Sequence, residues 1–215
     1  MTIRHHLSDP LLMAYAAGEL PEAFGLIVAT HLSLCDDCRA QAAAFDAVGG
    51  ALMDRAGEAA MGEDALDLAL ARIGNLPQAA ARPGPQRRRG PLPAPLAGYV
   101  GGDLAAVRWR RAGGGVRQAI LPTGKGARAR LLLIPAGMAI PDHGHRGLEL
   151  TLVLEGAFTD QGERFGPGDV EISDESIEHR PVVLADQDCL CLTAADAPLR
   201  FRGLVPRLAQ PFLRI

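Results

Sequence analysis

Three kinds of metal ligand position lie within eight residues in His31-Leu-Ser-Leu-Cys35-Asp-Asp-Cys38. Two thiolates separated by two residues can hold one ion while the second opens a helix, and a histidine four positions before the first shares its helical face. This spacing points to a tetrahedral Zn2+ site. A structural site takes four protein ligands, and His5 and His6, just ahead of a predicted helix, are candidates for the fourth, with His6 favoured.

A second group stands in the C-terminal half. His143 and His145 project to the same side of an extended segment, and Glu149 enters the same space from the following strand. The tight turn Gly166-Pro-Gly-Asp169 follows, and ten residues after Asp169 comes His179 as a fourth ligand. Three imidazoles and a carboxylate accept Zn2+ or another divalent transition metal, so the donor set leaves the metal open. Cys189 and Cys191 are two apart in a predicted strand and share a face; ordinary buried thiols are the plainer reading, a redox pair the other.

The elements that must position these residues fall into two kinds. Asp9-Pro10 opens a first helix that ends at Gly18, Pro21-Glu22 opens a second that carries His31 near its end, and Asp36-Asp37 caps a third with Cys38 in its first turn. A fourth, Glu63 to Ile73, carries an apolar stripe of Leu66, Ala69, Leu70 and Ile73, which either completes the bundle or binds a partner. Six prolines between 77 and 95 read as an exposed linker. Beyond Tyr99 come short apolar runs punctuated by Gly and Pro: 107–110, 116–121, 127–134, 150–154, 182–184 and 189–193. The expectation is an α + β two-domain chain: a helical zinc-binding unit over 1–80, a linker over 81–98, and an all-β unit over 99–215.

Charge narrows the function. The net charge of −3 over 215 residues divides into −7 for residues 1–80, +4 for 81–98 and zero beyond. An acidic helical unit is a poor nucleic-acid binder, because phosphate neutralisation requires clustered Lys and Arg; it suits a basic protein partner. No stretch reaches the roughly 20 apolar residues that span a bilayer, and the N-terminus lacks the apolar core of a signal peptide. A soluble, cytoplasmic protein is expected.

The C-terminal pattern resembles the first cupin motif, matched by Gly137, His143, His145, Glu149 and Gly156. Of the second motif Pro167-Gly168 is present, its histidine is displaced to His179 and its asparagine is missing. The resemblance spans about residues 99 to 200 and implies a small antiparallel jelly-roll barrel with a metal inside. The N-terminal His6, His31, Cys35 and Cys38 look like the pattern of zinc-binding anti-sigma factors, and the two halves together resemble the ChrR-like anti-sigma factors. That resemblance implies a non-enzyme whose helical unit binds an extracytoplasmic-function-type sigma factor and blocks its access to core RNA polymerase. It also implies that the cupin serves the response to singlet oxygen or related oxidants. The alternative from the cupin motif alone is a metal-dependent oxygenase or isomerase with a regulatory N-terminal module.

Overall fold

The computed structural model describes residues 2–76, 92–201 and 203. Four helices come first: α1 (Asp9–Ala16), α2 (Glu22–Leu32), α3 (Asp36–Met53) and α4 (Ala65–Gly74). Pro10 stands in the first turn of α1, where its missing N–H is not needed, and Gly18 takes a left-handed φ just past its end. The start of α3 differs from the expectation. Cys35, not Asp36 or Asp37, is its N-cap, and the Cys35 sulfur accepts from the Cys38 amide at 3.5 Å. The two aspartates sit in the first turn, where negative charge complements the helix dipole.

The expected linker lies outside the described residues as far as 91, and its last part is not an exposed connection. Residues 94–98 belong to α5 (Ala94–Val100), with Leu96 fully buried. Pro95 in its first turn starts this helix rather than preventing it, and the apolar Leu96 and Ala97 give it a face to bury.

A short 3-10 turn, Leu104–Ala106, leads into twelve strands among the described residues. They are β1 (Arg110–Gly113), β2 (Val116–Ile120), β3 (Arg128–Ile134), β4 (His143–Gly144), β5 (Glu149–Glu155), β6 (Phe158–Asp160), β7 (Glu163–Phe165), β8 (Val170–Ser173), β9 (Glu178–His179), β10 (Val182–Val183), β11 (Cys189–Ala195) and β12 (Arg200–Phe201). The expected strand at 107–110 begins only at Arg110. All pairings are antiparallel: a six-stranded sheet in the order β1-β2-β3-β11-β5-β8 faces two three-stranded sheets, β10-β6-β7 and β12-β4-β9.

Period-two alternation in the large sheet separates two cores. Ala129 and Leu131 of β3, Leu150 and Leu152 of β5, and Leu192 and Ala194 of β11 point out of the barrel. They pack in one continuous apolar cluster with Phe24, Leu26, Ile27 and Val28 of α2 and with Leu96 of α5. Ile134, Val153, Cys189 and Cys191 point inward, against Phe158, Phe165 and Val183 of the facing sheet. The helical unit is therefore seated on the outer face of the sheet whose inner face holds the second ligand group. Burial of each large aliphatic side chain contributes about 1.5–3 kcal/mol, so this outer core is a major part of what holds the two halves together. α4 takes no share in it; none of its residues is buried.

Candidate metal centres

The N-terminal group forms where α1, α2 and α3 meet. His31 leaves the last turn of α2, Cys35 caps α3 and Cys38 lies in its first turn. The ligand atoms of His6, His31, Cys35 and Cys38 all lie within 4.8 Å of one another. His6 Nδ1 is 3.3 Å from the Cys35 sulfur and 3.5 Å from that of Cys38. His5 points elsewhere: its ring lies 4.2 Å from that of Phe165, and its Nδ1 is 3.4 Å from Glu163.

His31 tests whether a cation fits. It is fully buried, and its Nδ1 donates to the Gly168 carbonyl at 2.9 Å, which leaves Nε2 as a buried acceptor with no hydrogen-bond partner, facing the sulfurs. A buried imidazole nitrogen without a partner is costly, and a metal cation held by these four residues would satisfy it. Burial pulls the His31 pKa down, which favours the neutral, ligating imidazole. Burial also pushes the Cys38 thiol up to about 11, so thiolate ligation has to be driven by the cation and releases protons.

Gly168 is the residue that ties this site to the barrel. It adopts φ 91°, a conformation open to glycine, and its amide donates to Val153 on β5 while its carbonyl faces His31. Asp169 beside it is buried and accepts from the amides of Arg4 (2.6 Å), His5 (3.0 Å) and Gly166 (2.8 Å). The Val170 amide returns a bond to the His5 carbonyl. The segment carrying His6 is thus pinned to the turn that leads into β8.

Inside the barrel three imidazoles converge. His179 Nε2 is 3.0 Å from His145 Nε2 and 3.1 Å from His143 Nε2, with His143 and His179 paired across β4 and β9. Each opposite ring nitrogen meets an oxygen: Pro141 carbonyl at 2.9 Å from His143, Glu149 carboxylate at 3.2 Å from His145, and Asp160 carboxylate at 2.9 Å from His179. Hydrogen bonds to a carbonyl and a carboxylate put the proton on Nδ1 of His143 and His179, so their Nε2 lone pairs face each other, while Glu149 Oε2 lies close to His145 without a hydrogen bond. A divalent cation relieves that repulsion, and the donor set suits one.

Glu149 does not stand among these converging atoms. Its carboxylate lies behind His145, with Oε2 buried, so the structure gathers His143, His145 and His179 and sets Glu149 beside them. Sequence reasoning missed Asp160 and Glu171, which with His179 form a second buried group of three. Burial pulls His179 down, but Glu171 and Asp160 overcome it and raise its pKa; burial raises Glu171 in turn. These two carboxylates sit on different strands with no motif spacing. Their signal was only the inward parity of β6 and β8 opposite the histidines. Cys191 also lines this cavity, and its sulfur is 3.5 Å from that of Cys189. The hydrogen bond with Cys189, together with burial, pushes the Cys191 thiol well above its ordinary value, so it is no ready thiolate nucleophile.

The ChrR Cupin-like domain family matches residues 99–197. The anti-sigma-E factor ChrR of Cereibacter sphaeroides is 62% identical over 216 residues, covering all of both chains. This chain belongs to the ChrR anti-sigma factor family. Among solved structures, Rhodobacter sphaeroides SigE in complex with the anti-sigma ChrR matches with TM-score 0.79 at 58% identity, over 91% of this chain and 100% of that one. An RmlC-like cupin from Ralstonia eutropha matches at 20% identity and TM-score 0.40, over 48% of this chain and 71% of that one. ChrR family members are regulators, which sets the oxygenase or isomerase reading of the cupin aside.

Proposed function

We propose that this protein is an anti-sigma factor that binds an extracytoplasmic-function-type sigma factor as a heterodimer in the cytoplasm and withholds it from core RNA polymerase. The observation that carries this is full-length identity of 62% to a protein named as an anti-sigma-E factor, joined to the likeness to a ChrR chain crystallised with SigE. No helix among the described residues is long and apolar enough to cross a membrane.

The helical unit, residues 1–80, is the sigma-binding part, and 99–215 the cupin. α4 supports this division. Leu66 is 68% exposed and Leu70 56%, an apolar stripe on a helix of no net charge, of the kind that docks in a groove of a partner. Val48, Leu52 and Met53 on α3 add exposed apolar surface.

Zn2+ is held by His6, His31, Cys35 and Cys38, where it supplies a structural crosslink between helices. His143, His145 and His179, with Glu149 beside them, hold Zn2+ or another divalent transition metal in the barrel. Singlet oxygen or a related oxidant acts at the cupin cavity, and the Gly166–Asp169 turn passes the resulting strain to the zinc site, which loosens the grip on sigma.

The test is transcription in vitro from a promoter that depends on the cognate sigma factor. The full chain should inhibit at about one equivalent of sigma, and inhibition should fall after exposure to light with a photosensitiser. Unaltered transcription at a large excess of the chain would defeat the anti-sigma reading.

A further inference from the structure

An open cavity of about 540 Å3 lies at the end of the large sheet, apart from both ligand groups. Three cations line it, Lys125, Arg128 and Arg130, with Thr123 and one carboxylate, Asp196. That carboxylate is already engaged, accepting from the Leu148 amide at 3.0 Å.

Register places the arginines. Arg128 pairs with Ala195, which pairs with Glu149; Arg130 pairs with Thr193, which pairs with Thr151. Both arginines share the face of Leu132, a residue of the barrel cavity, so the cationic pocket continues the inner face of the sheet toward its rim. Burial draws the Arg130 pKa below its ordinary value and the neighbouring Arg128 adds to this, while Glu149 opposes it. Two guanidinium groups gathered at one concave surface are matched by the oxygens of an anion, which guanidinium forks bind in a bidentate way.

The opposite wall is the loop at 123–127. Its Gly124 amide donates to the Glu22 carboxylate, and Gly126 lies where an added Cβ would come into van der Waals contact with Pro21. The pocket therefore borders the N-terminus of α2, whose far end carries His31.

We propose that this cavity binds a small oxyanion, a phosphate or carboxylate group, held by Lys125, Arg128 and Arg130 as a ligand separate from either metal. The bound anion bridges the 123–127 loop to β3 and so braces the contact between that loop and α2. This site stands on its own residues and does not depend on sigma binding.

Calorimetric titration of the full-length protein with sodium phosphate and, separately, with sodium succinate tests this, at an ionic strength matched with sodium chloride. At least one should bind saturably, one per chain. Saturation by phosphate alone identifies a phosphoryl ligand, and by succinate alone a carboxylate. The double variant Lys125→Ala with Arg128→Ala removes two exposed side chains. It should bind about tenfold or more weakly, as expected for losing charge-assisted hydrogen bonds, with the native far-UV circular dichroism retained. The proposal is overturned if neither anion saturates by about 10 mM, tenfold above a dissociation constant of about 1 mM. It is equally overturned if the double variant binds as tightly as the parent.

Discussion

At the residue scale, Asp169 does more than its place in a short turn suggests. Its two oxygens collect three amides, two from the segment that presents His6 and one from its own turn. Hydrogen bonds to a charged acceptor contribute about 1.5–3 kcal/mol each when the alternative is a buried, unpaired amide. Asp169→Ala should therefore lower stability by about 3 kcal/mol, allowing for partial repair by water. It should also free residues 2–6, so a chelator strips zinc from the N-terminal group faster than in the parent. Asp169→Asn keeps an acceptor oxygen and should recover part of both losses. Urea unfolding and zinc release to a chromogenic chelator measure the two effects; zinc release unchanged in Asp169→Ala would mean that the turn does not hold His6. No spacing rule marks Asp169 in the sequence, because two of its three partners are backbone amides more than 160 positions away. His31, Cys35 and Cys38 were legible for the opposite reason: one helix end and one helix start bring them together locally.

At the element scale, α4 and α2 have opposite fates although both carry apolar stripes. α2 buries Phe24, Leu26, Ile27 and Val28, whereas α4 buries nothing. Periodicity reports that a helix has an apolar face and not what covers it, which is why the sequence left core and partner open for α4. Leu66→Ser with Leu70→Ser should change folding stability by no more than about 0.5 kcal/mol, as for exposed sites, yet weaken inhibition of the sigma factor by tenfold or more. Equal inhibition by variant and parent would remove α4 from the interface. The seat of α2 is closed at its N-terminus by a clasp: Tyr99 O–H donates to Glu22 at 2.7 Å and the Gly124 amide donates to the same carboxylate. These bonds hold the Glu22 carboxyl below its usual range and lift Tyr99 above its own. The lowered Glu22 contributes fully above its unfolded value, about 4.3, and loses that contribution as pH falls through the folded value. The raised Tyr99 contributes below its unfolded value, about 10, and loses that as pH rises through the folded one. The clasp is whole between about pH 5 and 9. In a series of thermal melts against pH, Glu22→Gln should flatten the acid limb and Tyr99→Phe the alkaline limb. Limbs identical to the parent in both variants would show that the clasp carries no stability.

At the scale of the whole molecule, the helices and the barrel share one apolar cluster rather than each closing on its own. The sequence announced two halves through the change from helical to strand periodicity, and both halves are present. It gave no sign that the strands at 128–134, 149–155 and 189–195 are apolar on their outward face because that face receives α2. Strands of two or three residues, such as β4, β7 and β9, fell below any periodic signal, and two of them, β4 and β9, carry His143 and His179 into register. The shared cluster makes stability a joint property. Ile27 is fully buried at its centre, between the helix that ends in His31 and the sheet whose inner face holds the imidazoles. Ile27→Ala should cost about 2–5 kcal/mol, the loss of buried methyl groups plus the cavity left behind. If the two halves fold as a unit, that loss lowers the unfolding of helix and strand together. Amide hydrogen exchange should then show α2, β3, β5 and β11 losing protection by the same free energy. Loss confined to α2, with the strands unchanged, would mean that the helical unit leaves the sheet independently, and any coupling between the His6–Cys38 group and the barrel would have to pass through the Gly166–Asp169 turn alone.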